Sequence, residues 1–235
     1  MRISALYVYP VKGCRACPVE EAATGPLGLD DDRRFAFVDA DGLAFTQRDR
    51  PLLATVVPRL EPTALRMDLG GLAGVLVPLS SFTQPMSVDV WGKRVPGHAA
   101  PLIPEADDYL GASVRLVMLD GAAQRSFADS RPVLITTSAM LGRLGLPAVG
   151  MERFRPNVVL EGDGKWQTLR GERVVLEYSK PCGRCEVTTI DQASGVRQGP
   201  EPLRTLNERF DGNFGDYYEI VRPGRLRRGE ELLAA

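Results

Sequence analysis

The stretch Lys180-Pro-Cys-Gly-Arg-Cys-Glu-Val-Thr-Thr-Ile-Asp191 sets two cysteines three positions apart, with one basic residue before them and another between them. Cationic neighbours raise the thiolate fraction of a cysteine, and thiolate is the form that binds metals or attacks electrophiles. The β-branched run Val187-Thr-Thr-Ile190 reads as a strand, which puts the thiols where a loop enters a rigid element. A second pair, Cys14/Cys17, lies near the N-terminus, so all four cysteines of the chain fall into Cys-x-x-Cys spacings. In a reducing compartment such spacing indicates metal or redox chemistry more than structural disulfides.

Outward from this stretch, the chain reads as a series of short strands. Arg2 to Tyr9 alternates loosely and is broken by the turn Pro10-Val-Lys-Gly-Cys-Arg15. Arg34–Asp39 and Leu43–Thr46 form the clearest hairpin, with Asp41-Gly42 at its turn and Phe35, Phe37 and Phe45 facing the core. Met86 to Trp91 alternates strictly before a turn at Gly92-Lys93. Pro104–Gly111 reads as a short helix closed by glycine, Ser138–Leu144 as a helix capped near Ser138, and Glu201–Phe210 as a helix with proline in its first turn. The polar segment Asp120–Ser126 marks a boundary between residues 1–120 and 121–235. The fold class is mainly β (α+β), with two β-rich, barrel-like domains and a few short helices.

The 235 residues suffice for such a pair of cores, and a formal net charge of −1 argues against a dedicated nucleic-acid binder. No apolar run reaches the length of a membrane span, and the N-terminus lacks the apolar region of a signal peptide. The expectation is a cytoplasmic protein.

Several motifs occur in a fixed order: Tyr9-Pro-Val-Lys-Gly13, Asp32-Arg-Arg-Phe35, Phe154-Arg-Pro-Asn157, Cys182-Gly-Arg-Cys-Glu-Val-Thr-Thr-Ile-Asp191, Pro202-Leu203 and Leu206. Together they resemble the MOSC family with its N-terminal β-barrel domain, and within it the amidoxime-reducing proteins of mitochondria and their bacterial relatives. The resemblance implies a molybdenum cofactor (molybdopterin) between the two domains and two-electron reduction of N-hydroxylated compounds with release of water. It implies Cys185 as the catalytic cysteine and molybdenum ligand. It implies cofactor contacts from Lys12, Gly13, Arg33 or Arg34, Ser130, Arg131, Arg155, Asn157, Cys182, Gly183 and Arg184. The family label extends to pyridoxal phosphate binding, for which no residue is assigned. Electrons are expected from a separate flavoprotein or iron–sulfur protein, since no cysteine-rich tail follows.

The chain departs from the family in two places. Gly13 stands where many relatives have serine, and Gly97–Pro101 lacks the acidic, glycine-bearing pattern expected after the Trp-Gly strand. Apart from the resemblance, soft sulfur suits such a metal and arginine forks suit a phosphate. Other readings of the same residues are a structural Cys₄ zinc protein and a non-catalytic carrier of cofactor or sulfur. His98, the only histidine, reads as a surface loop residue. Asp30–Asp32 read as a turn that pairs with Arg33 and Arg34, and Asp191 as either a proton relay or the cap of a turn before Ser194-Gly195.

Overall fold

The computed structural model describes residues 1–234, with the side chains of Leu72 and Ala73 left aside. The mainly-β class expected from the turn-rich pattern is what forms. The largest sheet has eight strands in the order Leu233–Ala234, Thr168–Arg170, Val175–Gly183, Asn213–Arg222, Val133–Thr137, Val158–Leu160, Ile3–Val8 and Cys17–Pro18. Every neighbouring pair is antiparallel except Val133–Thr137 with Val158–Leu160. A four-stranded sheet (Phe35–Val38, Arg115–Leu119, Lys93–Ala99, Gln84–Val90) and a three-stranded one (Val56–Leu60, Ala64–Leu69, Leu72–Pro78) build the other half.

The first strand is carried by the second half of the chain, and it draws residues 1–29 across the division at residue 120. Ile3, Leu6, Val8, Ala22 and Leu29 pack in one core with Val133, Val158, Leu176 and Leu226. The loose alternation of this strand has a local cause. Its ladder slips between Ile3 and Ala5, so one extra residue is accommodated and both Ile3 and Leu6 face inward. The second core, of Phe35, Phe37, Leu53, Met67 and Leu116 among others, belongs to the N-terminal half alone.

Four local expectations are corrected. Val187–Ile190 is not a strand: Glu186–Thr189 is a single 3₁₀ turn. The Thr188 hydroxyl donates to the Cys185 carbonyl (2.9 Å) and the Thr189 hydroxyl to that of Glu186 (2.7 Å), local bonds that compete with a ladder and override the β propensity of the run. The cysteines therefore sit where the strand Val175–Gly183 ends, not where one begins. The hairpin turn after Val90 is Trp91-Gly92, since Val90 pairs with Lys93. His98 lies within the strand Lys93–Ala99, half-buried beside Asp120. Pro96 is tolerated there because its missing N–H faces the side on which pairing to Arg115–Leu119 starts only at Gly97. The helix Ser138–Leu144 is capped by Thr137, whose side chain accepts from the Met140 N–H at 3.1 Å.

Candidate functional site

The long hairpin of Val175–Gly183 with Asn213–Arg222 loses regular register between Tyr178 and Lys180 and again between Pro181 and Gly183. Such slips bend a strand and re-aim its side chains. Cys182 and Cys185 end up in unlike surroundings: Cys182 is buried and Cys185 exposed. Cys185 opens onto a cleft between the two halves. The cleft is lined by Lys12, Gly13, Arg33, Ser130, Arg131, Arg155, Asn157, Gly183, Arg184 and Cys185, residues that lie up to 173 positions apart in sequence.

Two expected residues lie elsewhere. Arg34 turns away to pair with Asp31 at 2.8 Å, so only Arg33 of the pair reaches the cleft. Cys182 sits behind Arg184, accepting from its Nη1 at 2.8 Å. Arg184 also donates from Nη2 to the Phe154 carbonyl (2.8 Å), while its Nε is buried without a partner among the described residues.

The arginines are held by unusual backbone. Arg33 (φ +50°) and Arg155 (φ +53°) are both left-handed, a conformation that costs a non-glycine residue on the order of 1 kcal/mol and clusters at binding sites. Both guanidinium carbons lie close to the Tyr9 ring, at 4.2 and 4.5 Å from its centroid. The Tyr9 hydroxyl donates to the Pro156 carbonyl, and its own N–H donates to buried Asp32, which pairs with Arg33. Asn157 accepts from Arg33 Nη1 and the Leu134 N–H and donates to the Tyr7 carbonyl. Its amide is thus spent on positioning Arg33 and joining the first strand to the sheet.

Lys12 is buried and pairs with Asp129 at the rim, and Trp91 Nε1 donates to the same carboxylate at 3.0 Å. On the other wall Gln47 and Gln192, both buried, exchange hydrogen bonds of 3.0 and 2.9 Å. Gln47 also donates to the Gly13 carbonyl at 2.7 Å. Gly13 has φ +79°, and a Cβ there would lie 3.1 Å from Leu53 Cδ1, so the serine of relatives could enter only with strain.

The electrostatics describe a cation surplus that burial opposes. Burial pushes the Lys12 ammonium below its ordinary value against the pull of Asp129. Burial likewise lowers the Arg155 guanidinium, and Arg33 nearby adds to the effect. Burial alone would lower Arg33 too, but Asp32, Tyr9 and Asp129 together more than offset it. Burial would raise the Asp129 carboxyl, yet Lys12, Trp91 and Arg33 hold it well below the usual carboxylate range. Like charges held partly out of water are costly unless an anion completes the set.

Tyr9, Asp32, Asp129, Gln47, Gln192 and Tyr217 were not expected as parts of the site. Tyr9 and Asp32 stand inside quoted motifs and Asp129 directly before Ser130, so their positions carried a signal. Gln47 carried none. Asp191 resolves as a turn cap, accepting from the N–H groups of Ala193 and Ser194 and from the Ser194 hydroxyl. The Cys₄ arrangement does not form: among the described residues no three His, Cys, Asp or Glu side chains gather as metal ligands. Cys14 is buried in the N-terminal core, and Cys17 donates to the Pro58 carbonyl.

Two family models match the chain, the MOSC N-terminal β-barrel domain over residues 1–114 and the MOSC domain over residues 122–233. The chain belongs to the MOSC family. This MOSC chain is 28% identical to mitochondrial amidoxime reducing component 2 of Macaca fascicularis, over 98% of the chain and 82% of that protein. It is 25% identical to mitochondrial amidoxime-reducing component 1 of Homo sapiens, with the same coverage. Molybdenum cofactor sulfurase 1 of Aedes aegypti is 25% identical over 98% of the chain and 35% of its own length. A crystal structure of the YuaD protein from Bacillus subtilis superposes with a TM-score of 0.48 at 11% identity, covering 98% of this chain and 93% of that one. Among the described residues of this MOSC chain no helix is long and apolar enough to cross a membrane.

Proposed function

We propose that the chain is a molybdenum-cofactor oxidoreductase that reduces N-hydroxylated compounds, such as amidoximes and hydroxylamines, to the amine or amidine with release of water. The observation that carries the reading is an exposed cysteine opening onto a cleft whose other walls hold a surplus of cations, Lys12, Arg33, Arg131, Arg155 and Arg184 against the one carboxylate of Asp129. The donor set fits the group: a soft thiolate for molybdenum and guanidinium forks for a phosphorylated pterin. The buried Nε of Arg184, without a partner among the described residues, is a donor that a bound anion would satisfy. The names of the relatives support the same chemistry, and their amidoxime-reducing members supply the substrate class.

Cys185 would be the metal ligand. Lys12, Arg33, Arg155 and Arg184 would hold the phosphate and pterin, with Ser130, Arg131 and the backbone of Gly13 and Gly183 along the same walls. Asn157, Tyr9 and Asp32 would position Arg33 and Arg155 rather than touch the ligand. When bound, the cofactor supplies the two-electron redox couple. Overall the N–O bond breaks, two electrons and two protons are taken up, and water leaves. The electrons come from a separate donor protein, a flavoprotein or iron–sulfur protein.

Elemental analysis of the purified protein tests this reading. Molybdenum near one per chain is expected, and its loss in Cys185→Ala together with loss of benzamidoxime reduction. Zinc in its place, or a Cys185→Ala variant that keeps both molybdenum and activity, would overturn it.

A further inference from the structure

A second groove opens from the rim of the cleft and shares Lys12 and Thr46 with it. It is lined by Leu43, Arg48, Trp91 and Glu186 among others, the last next in sequence to Cys185. Trp91 is the anomaly. It is 58% exposed, and Leu43, which lines the same groove, is 55% exposed. It also occupies the first position of a two-residue hairpin turn in which both residues have positive φ, +57° for Trp91 and +74° for Gly92. Turns of this geometry favour asparagine, aspartate or glycine at that position, and a bulky residue there is strained. Neither core packing nor the turn explains the indole.

The ring is nonetheless fixed. Its Nε1–H is bound to Asp129, which is itself held by Lys12 inside the cleft. One face is covered by the Arg48 guanidinium, 4.2 Å from the ring. With the nitrogen anchored and one face under a planar cation, the large exposure that remains belongs to the rest of the indole. We infer that Trp91 is a specificity-determining residue: a rigid platform on which the aromatic ring of an N-hydroxylated substrate stacks while its N–OH group reaches past Lys12 toward Cys185. The inference rests on the proposed function for its substrate class, and the platform itself rests on the groove alone. Stacking on a fixed indole favours planar aromatic over small aliphatic substrates.

Calorimetric titration of the purified protein with benzamidoxime and with acetamidoxime tests the platform without requiring turnover. Trp91→Ala should weaken benzamidoxime binding about two- to twelvefold, the range of an aromatic pair, and leave acetamidoxime binding nearly unchanged. Trp91→Phe keeps a ring in the same turn and should retain most of the aromatic affinity, which separates stacking from any change in the hairpin. In the loaded protein the same variants should raise KM for benzamidoxime with little change in kcat. Equal effects of Trp91→Ala on the two oximes, no effect on either, or no binding of benzamidoxime by the unaltered protein would overturn the inference. A protein that holds molybdenum and reduces acetamidoxime, but whose benzamidoxime affinity ignores Trp91, loses the platform and keeps the function. One without molybdenum whose benzamidoxime binding still depends on Trp91 loses the function and keeps the platform.

Discussion

Replacing Arg33 by methionine removes the charged partner of a carboxylate that the fold has already taken out of water. The Asp32 side chain is 2% exposed, and its carboxylate is held by Arg33 and by the Tyr9 N–H at 2.9 Å. Methionine keeps an unbranched stem at the left-handed position, so backbone strain is nearly unchanged and the lost charge dominates. Removing one partner of a buried pair typically costs about 3–5 kcal/mol, because the remaining charge is uncompensated. For a chain of this size that is a fall in melting temperature of about 6–20 °C, at 2–4 °C per kcal/mol. The pH dependence has a definite sign. Burial raises the Asp32 carboxyl even with Arg33 in place, and losing Arg33 raises it further. A raised carboxyl holds its proton more tightly in the folded chain than in the unfolded one. The destabilisation of Arg33→Met is therefore greatest above the folded value and shrinks as pH falls toward the ordinary aspartate range near ~4. Urea melts of both proteins at pH 8 and pH 5 read this directly, and adding Asp32→Asn to Arg33→Met should recover more than half of the loss. A deficit below about 1 kcal/mol at pH 8, the size of an exposed pair, would refute the reasoning. So would a deficit that does not shrink at pH 5 or that Asp32→Asn leaves in place.

Two further outcomes follow from the same site. Asp129→Asn should destabilise the protein by an amount between the ~1 kcal/mol of an exposed pair and the ~3 kcal/mol of a buried one, since Lys12 is 6% exposed but Asp129 is 55% exposed. Because Lys12 holds the Asp129 carboxyl low, that difference is full above the ordinary aspartate value of ~3.9 and should vanish as pH falls through the lower folded value, as thermal melts across an acid series would record. Iodoacetamide applied to the folded, cofactor-free chain should modify Cys185 before Cys14 or Cys182, both buried, and before Cys17, whose thiol burial pushes up to about 11. Peptide mass spectrometry reads the order, and early labelling of Cys14 would contradict the packing.

The chemical inventory of this protein was legible in its residues. Turn spacing and alternation give a mainly-β chain, and the order of short motifs carries the family resemblance, which implied Lys12, Arg33 or Arg34, Arg155, Arg184 and Cys185 as site residues. These features are local, and local sequence encodes them. What needed the tertiary structure is everything set by approach across the chain. Arg33 and Arg34 are equivalent in sequence, and only the left-handed turn that aims Arg33 at Asp32 and Tyr9 separates them. Cys182 and Cys185 are equally spaced thiols until slips in the strand ladder bury one and expose the other. Val187–Ile190 has the composition of a strand, but the hydroxyls of Thr188 and Thr189 bond to their own backbone, and the 3₁₀ turn prevails. The first strand joins the second half of the chain because its apolar face meets Val133 and Val158 there, and no pattern within nine residues can announce a partner about 150 positions away. Sequence determined which groups the site could contain. Long-range packing decided which of them face the cleft and which are spent holding the others in place.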